Sequence, residues 1–261
     1  MTDIQKRSAL QSALLRFRDW NVYLSDKTTP HQLWQTRGFA IYDWVARALL
    51  GEPGANTVVD VGGGRTWYFG ETYRQNAKFR LIGIDIDAGE LALNGSLDEA
   101  IATDVSASLE VADGSVDLLL SRATVEHIHD NKAFIANVVR ALRPGGKAAF
   151  VFANKWAPPL ILNRLIGNRV ANFLLLALVP GTKGYGGFKS YYDHCSFHDF
   201  RRQLLSAGLE IDYEYCSYYS SAYFQFFFPL HLLSILLDSF RQFLSFRNFS
   251  SMNLFVVRRP L

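Results

Sequence analysis

The chain has 261 residues, 49% of them hydrophobic and 20% charged, which suits one large globular domain with its own core. A net charge of +3 is too small to mark a nucleic-acid binder. Two cysteines, Cys195 and Cys216, with no CxxC pair argue against a disulfide framework or a zinc site and for a reducing compartment.

Charges interrupt the N-terminal MTDIQKRSALQSALLRFRDW throughout, so it does not read as a signal peptide. Apolar residues recur at helical spacing over roughly residues 4–24 and 30–50, and Pro30 suits the first turn of the second helix. After the loop EPGANT, short apolar runs alternate with helical segments. TVVDV (57–61), FRLIGID (79–85), AIATDV (100–105), VDLLLS (116–121) and KAAFVFA (147–153) read as buried strands. Helices or turns are expected around 66–77, 88–97 and 130–142, and RPGGK (143–147) stops the last of these. This alternation predicts an α/β fold, a doubly wound, mostly parallel sheet. A long insertion follows at 154–190. SFHDFRRQLLSAG then reads as a helix with Ser196 as N-cap and Gly208 just past its end. LEIDYEYCSY reads as a strand, an aromatic insertion covers 219–250, and a final strand over 251–258 closes the sheet. The whole of 1–261 reads as one domain: N-terminal helices (1–54), an alternating strand–helix core (55–153), an apolar insertion (154–190), a core helix and strand (191–218), an aromatic insertion (219–250) and a final strand (251–258).

The stretch VVDVGGGRTW (58–67) ends the first strand in three consecutive glycines, Gly62, Gly63 and Gly64. Ordering three glycines is costly, so a close approach to the backbone is expected there, at a turn into a helix. Asp85 stands 21 residues after Gly64 at the end of the second strand, where a carboxylate can accept both hydroxyls of a ribose. Asp104 ends the third strand on the same edge, the side where open α/β sheets bind ligands. Trp67 occupies the third glycine position of a dinucleotide fingerprint, so a dinucleotide is disfavoured. Tyr185 and Lys189 form a Y-x-x-x-K pair, but flanking glycines deny it a helix face and mark it as coincidence.

The set resembles the class I S-adenosylmethionine-dependent methyltransferases over roughly residues 55–153. Asp60, Gly62 and Gly64 look like that family's first motif, and IGIDID, with Asp85 and Ile86, looks like its second. ATDVSASLEVADGSVDLLLSRATVEHIHD, ALRPGGKAAFVF and SFHDFRRQLLSAGLEI look like the motifs that follow. The departure is Thr66, where many members carry a third glycine. The resemblance implies a Rossmann-like seven-stranded sheet with the last strand antiparallel, and S-adenosyl-L-methionine as cofactor. It implies that Asp104 and Val105 frame the adenine and that Ser121 and Arg122 sit beside the methionine part. Asp60 is expected to organise the glycine loop through backbone N–H groups rather than touch ligand.

Methyl transfer needs a base only for a hydroxyl or protonated-amine acceptor. His127, beside Glu126, and His194 are the candidates, with His129, Asp193 and His198 nearby in sequence, and KSYYDHCS (189–196) is a plausible acceptor-lining segment. No metal ligand set is expected.

Both insertions are amphipathic. Arg164, Asn168 and Asn172 repeat every four residues, and His231, Ser234, Asp238, Arg241 and Ser245 recur at three- and four-residue steps. Such helices fit an in-plane membrane contact, with packing on one another or across a homodimer as the competing readings. Both insertions leave the carboxyl edge of the sheet, so an apolar lid and a small-molecule or lipid-linked acceptor are expected. The chain would then be cytoplasmic, peripheral on the inner face of the membrane. A soluble metabolite as acceptor and a non-catalytic nucleoside-binding protein are the alternatives.

Overall fold

The computed structural model describes residues 9–167 and 189–261. The chain opens with three helices, α1 (Ala9–Thr28), α2 (His31–Gln35) and α3 (Gly38–Leu50). Then come β1 (Thr57–Val61), α4 (Glu71–Asn76), β2 (Arg80–Asp85), α5 (Ala88–Leu91), β3 (Glu99–Ala102) and β4 (Val116–Arg122). A short 3-10 turn (Val125–His127) leads to α6 (Asn131–Ala141), β5 (Leu142–Ala153) and α7 (Pro158–Ile166). The remaining described elements are α8 (Phe197–Ser206), β6 (Glu210–Ser217), a 3-10 turn (Ser221–Phe224), α9 (Phe228–Phe243) and β7 (Met252–Arg258).

The seven strands form one sheet in the order β3-β2-β1-β4-β5-β7-β6. β1 to β5 pair in parallel, and β7 is antiparallel to both β5 and β6. β5 and β6 therefore run the same way, and both insertions leave the carboxyl edge, as expected. Each face of the sheet carries a core. On one face Phe134 of α6 and Phe197 and Phe200 of α8 pack on Phe150, Phe152 and Phe255, with the Phe152 and Phe200 rings 4.6 Å apart. On the other, Tyr42, Ala46 and Leu49 of α3 cover Val58, Leu118 and Leu120. Each buried Val, Leu or Phe among them contributes about 1.5–3 kcal/mol, and cover on both faces is why these strands read as continuous apolar runs.

Several boundaries move. The 30–50 helix is two helices, and Pro30 caps α2 one position earlier than expected. Only Glu71–Asn76 of the 66–77 segment is helical, because Trp67 and Phe69 turn inward against Phe79 and Tyr73. α5 is a single turn, and β3 ends at Ala102, so Asp104 lies just beyond the strand. Ser196 caps α8 by accepting from the Asp199 N–H at 3.3 Å, and Gly208 follows at φ +84°. Asn168 and Asn172 of the first polar stripe and Tyr185 of the Y-x-x-x-K pair lie outside the described residues.

α9 packs on α1 and on the turn before it. Its polar stripe, His231, Ser234, Asp238 and Arg241, is the buried side, and Leu232, Leu233, Leu236, Leu237, Phe240 and Phe243 face out. Ser245 falls past the helix end and is exposed. Among the described residues, no helix is long and apolar enough to cross a membrane.

Candidate active site

A cleft of about 470 Å³ opens at the carboxyl ends of β1, β2, β3 and β4. That volume lies within the range of small-molecule sites. Its floor is the glycine turn. The Gly62 N–H donates to the Ile84 carbonyl at 2.7 Å, and the Gly63 N–H to the same oxygen at 3.2 Å. Gly62 has φ +79°, and a Cβ there would stand 2.0 Å from Thr124 Oγ1. Only glycine fits that contact. Gly63 points away from the cleft, where an added Cβ would meet Gly83 Cα at 3.2 Å. The close approach anticipated for the three glycines is therefore in part strand against strand.

Asp85 organises this turn. Its Oδ2 accepts from the Gly64 N–H at 3.1 Å and its Oδ1 from the Asp87 N–H at 3.0 Å. The role expected of Asp60 thus belongs to Asp85. The β1 backbone holds Asp60 below the turn, and its carboxylate makes no hydrogen bond among the described residues. Burial first, then the charge of Asp85, push its pKa up to about 7, against the pull of Arg122.

Asp104 accepts from the Ser106 N–H at 2.9 Å and from the Ser106 hydroxyl at 2.6 Å, with His129 3.6 Å away. Burial raises its carboxyl, but the two Ser106 bonds and His129 outweigh it and leave the pKa low, so Asp104 is an anion. Arg122 lies between the rings of Tyr68 (3.5 Å) and Phe39 (4.0 Å), with Asp43 3.4 Å from its Nε. Tyr68 donates to the same carboxylate at 2.8 Å, so the guanidinium is clamped. Ile84, Val105, Ile128 and the exposed Ile86 supply the apolar walls.

Residues 59–150 match a family model described as a methyltransferase domain. Residues 59–150 form a methyltransferase domain. An uncharacterised methyltransferase of Mycobacterium avium is 37% identical over 125 residues, 46% of this chain and 48% of the relative. One from Mycobacterium sp. (strain JLS) is 36% identical over 110 residues, 41% of this chain and 42% of the relative. The chain thus matches about half the length of these curated relatives. Phosphoethanolamine N-methyltransferase 1 of Triticum aestivum is 34% identical over 101 residues, 34% of this chain and 19% of that one. Among solved structures, an S-adenosylmethionine-dependent methyltransferase from Mesorhizobium loti aligns at TM-score 0.53 and 18% identity, covering 84% of this chain and 98% of the other. Geranyl diphosphate C-methyltransferase from Streptomyces coelicolor aligns at TM-score 0.54 and 14% identity, covering 84% and 80%. These structural likenesses bear on the fold alone, and they share the Rossmann-like methyltransferase sheet described above.

The methyltransferase domain gathers Gly62, Gly64, Asp85, Ile86, Asp104, Val105, Arg122 and His127 on the cleft wall. Asp60, Gly63 and Ser121 lie off the lining, Ser121 fully buried with its Oγ unpartnered. His127 Nδ1 contacts the Lys189 carbonyl at 3.2 Å and the Ser190 hydroxyl at 3.3 Å, so the 189–196 segment does reach the cleft, through Lys189 and Tyr191. His194 does not. It sits at φ +49° beside Asp193 (3.6 Å), away from the lining residues, in a loop fixed by Asp193. Asp193 accepts from the Asn131 N–H at 2.9 Å, and the His198 N–H donates to Asn248 at 3.0 Å, so both serve packing.

Sequence reasoning missed Thr124, Ala123, Glu90 and Thr103 on the lining. Ala123 has φ +56°, a left-handed conformation for a non-glycine residue, and no residue-type signal announces it. Glu126, adjacent to His127, is buried. Its Oε1 accepts from the Ala153 N–H at 3.3 Å, and its Oε2 has no partner. Burial dominates its raised pKa, opposed by backbone hydrogen bonding and His127.

Proposed function

We propose that this chain transfers the methyl group of S-adenosylmethionine to an apolar or lipid-linked acceptor. One observation carries the reading: Gly62, Gly64, Asp85, Asp104 and Arg122, contributed by successive strand ends, line a single cleft. The residues present suit the cofactor. A turn stripped of side chains leaves room at the floor, Asp85 and Asp104 offer carboxylate oxygens to hydroxyls and an amino group, and Ile86 and Val105 offer faces for a flat base. When bound, S-adenosylmethionine supplies an electrophilic methyl group on a sulfonium.

The chain's own residues then do three things. Asp85 and the turn it holds fix the ligand's orientation, which is the main contribution a protein makes to such a displacement. The apolar walls exclude water. His127, held through Nδ1 by the Lys189 carbonyl, takes a proton from the acceptor where that acceptor is a hydroxyl or an ammonium. The lining contributed by Ile128 and Tyr191 favours an apolar acceptor, and both chain insertions leave the same sheet edge. The Streptomyces coelicolor neighbour, solved with geranyl diphosphate, supports the reading to the extent that this fold accommodates an isoprenoid. Such an acceptor is met at a membrane, so peripheral attachment to its inner face belongs to this reading.

The test uses methyl-labelled S-adenosylmethionine with purified protein and a lysate that includes membranes, followed by solvent extraction. Label in the organic phase that Asp85→Asn sharply lowers at limiting cofactor is the expected result. Label confined to the aqueous phase rejects the lipid acceptor and keeps the transferase. No label in either phase, with cofactor bound, rejects transfer.

A further inference from the structure

Helices α1 and α9 are built inside out. Where they meet, the contact is polar. The Phe228 N–H donates to Asn21 Oδ1 at 2.8 Å, Thr29 Oγ1 lies 2.9 Å from His231 Nε2, and the Ser25 hydroxyl donates to the Gln225 carbonyl at 3.4 Å. Asp238 accepts from the Ser220 and Ser221 N–H groups at 2.7 and 2.9 Å and pairs with Arg241, which also donates to the Tyr218 carbonyl at 2.8 Å. The opposite side of α9 carries Leu232, Leu233, Leu236, Leu237, Phe240 and Phe243, all exposed, with Leu236 at 67% and Phe243 at 84%. In water a helix pair buries the apolar faces and solvates the polar ones. This pair does the reverse.

The outermost line of α1 bears on what covers this face. Arg16, Trp20, Tyr23 and Lys27 recur at four-, three- and four-residue steps and share one face. Trp20 stacks on Tyr23 at 5.8 Å, and the Lys27 ammonium lies 5.8 Å from the Tyr23 ring. Aromatic rings with a polar edge, bracketed by cations, are the chemistry of the bilayer headgroup layer. No carboxylate answers Arg16 or Lys27 among the described residues, and the acids of α1 are engaged elsewhere, Asp19 by Arg18 and Asp26 by Gln225. The outward face of α9 offers no acid either, so the α9 face of a second copy would bring no counter-charge to these cations. Anionic lipid does.

We propose that the outward faces of α1 and α9 dock together on an anionic phospholipid surface, with the helices lying in its plane. α9 follows the turn that leaves the carboxyl end of β6, so docking brings the membrane to the edge of the sheet that holds the cleft. The docking face rests on the helix pair and not on the acceptor reading.

Flotation of the full chain with vesicles tests this. Vesicles of phosphatidylcholine alone are compared with vesicles containing about one third phosphatidylglycerol. Retention on the anionic vesicles, weakened at high salt, is expected. Leu236→Glu with Phe243→Glu should lower it by at least about tenfold, and so should Arg16→Glu with Lys27→Glu. These positions are exposed, so an unchanged circular dichroism spectrum and unchanged S-adenosylmethionine affinity show that the variants fold. Failure to float on either vesicle overturns the proposal. So does retention unaffected by both variants. A dimer in lipid-free solution that Phe243→Glu dissociates, without vesicle retention in the parent chain, assigns the face to a second copy instead. The vesicles contain no acceptor, so flotation reports docking alone and the labelling experiment reports the acceptor alone.

Discussion

Replacing Gly62 by alanine tests the floor of the cleft with a single methyl group. Two costs follow from the geometry. The residue sits at φ +79°, and its new Cβ would lie 2.0 Å from Thr124 Oγ1, 2.9 Å from Cγ2 and 3.0 Å from Cβ. The left-handed backbone costs a non-glycine residue about 1–2 kcal/mol. Thr124 must also rotate away, giving up the 3.1 Å bond its hydroxyl donates to the Val61 carbonyl, worth about 0.5–1.5 kcal/mol. The expected loss is about 1.5–3.5 kcal/mol in urea unfolding, with the displaced threonine pushed into the cleft it lines. Calorimetry should show S-adenosylmethionine binding weakened at least about tenfold while the variant remains folded. Thr124→Ala removes Oγ1 and Cγ2 but not Cβ, so the double variant should regain the steric part and keep the backbone part. A Gly62→Ala protein within about 0.5 kcal/mol of the parent, or one whose cost simply adds to that of Thr124→Ala, would refute the reasoning.

Three further outcomes follow from the same geometry. The Asp60 carboxyl, raised from 3.8 to about 7, stays protonated in the folded chain while the unfolded chain ionises. The folded state therefore binds more protons between those values, and stability falls as pH rises through that window, by on the order of 4 kcal/mol at most. Asp60→Asn should flatten this slope in urea midpoints measured from pH 4 to 8, and an unchanged slope counts against it. Asp85→Asn should weaken S-adenosylmethionine binding by one to two orders of magnitude in calorimetry, the worth of hydrogen bonds to a charged group, and unchanged affinity would remove Asp85 from the site. Asp238→Ala leaves Arg241 buried without its counter-charge and two backbone N–H groups without an acceptor, a loss of about 3–5 kcal/mol in chemical denaturation; a loss under about 1 kcal/mol would show that water replaces the carboxylate.

The parallel half of the sheet was legible because strands covered on both faces leave an unmistakable apolar run, and Val58, Leu118 and Ala149 are completely or almost completely buried. Asp85, Asp104 and Arg122 were legible because each ends or follows a strand on the ligand edge. The segment after the glycines misled, since Trp67 and Phe69 are core residues of a loop and Gly70, at φ +83°, delays the helix to Glu71. Asp60 misled because two carboxylates were in reach of one turn, and spacing alone does not say which accepts the Gly64 N–H. His194 misled because proximity in sequence to the lining segment is not proximity to the cleft. The periodicity of α9 was clear at once, but a period carries no sign. It reveals a polar stripe and an apolar stripe without saying which one the protein turns toward itself.

β7 has a consequence for synthesis. It lies between β5 and β6, yet it is translated after both, and Phe255 pairs with Phe150 roughly a hundred residues earlier in the chain. Until residues 252–258 leave the ribosome, β5 and β6 each present an open edge and no direct partner to one another. The nascent chain completes its N-terminal parallel half first and holds an unsealed flank for the whole time the aromatic insertion is being made. Stalling translation before β7 should therefore leave a species that captures chaperones through that flank, and releasing it should close the sheet in one zipping event.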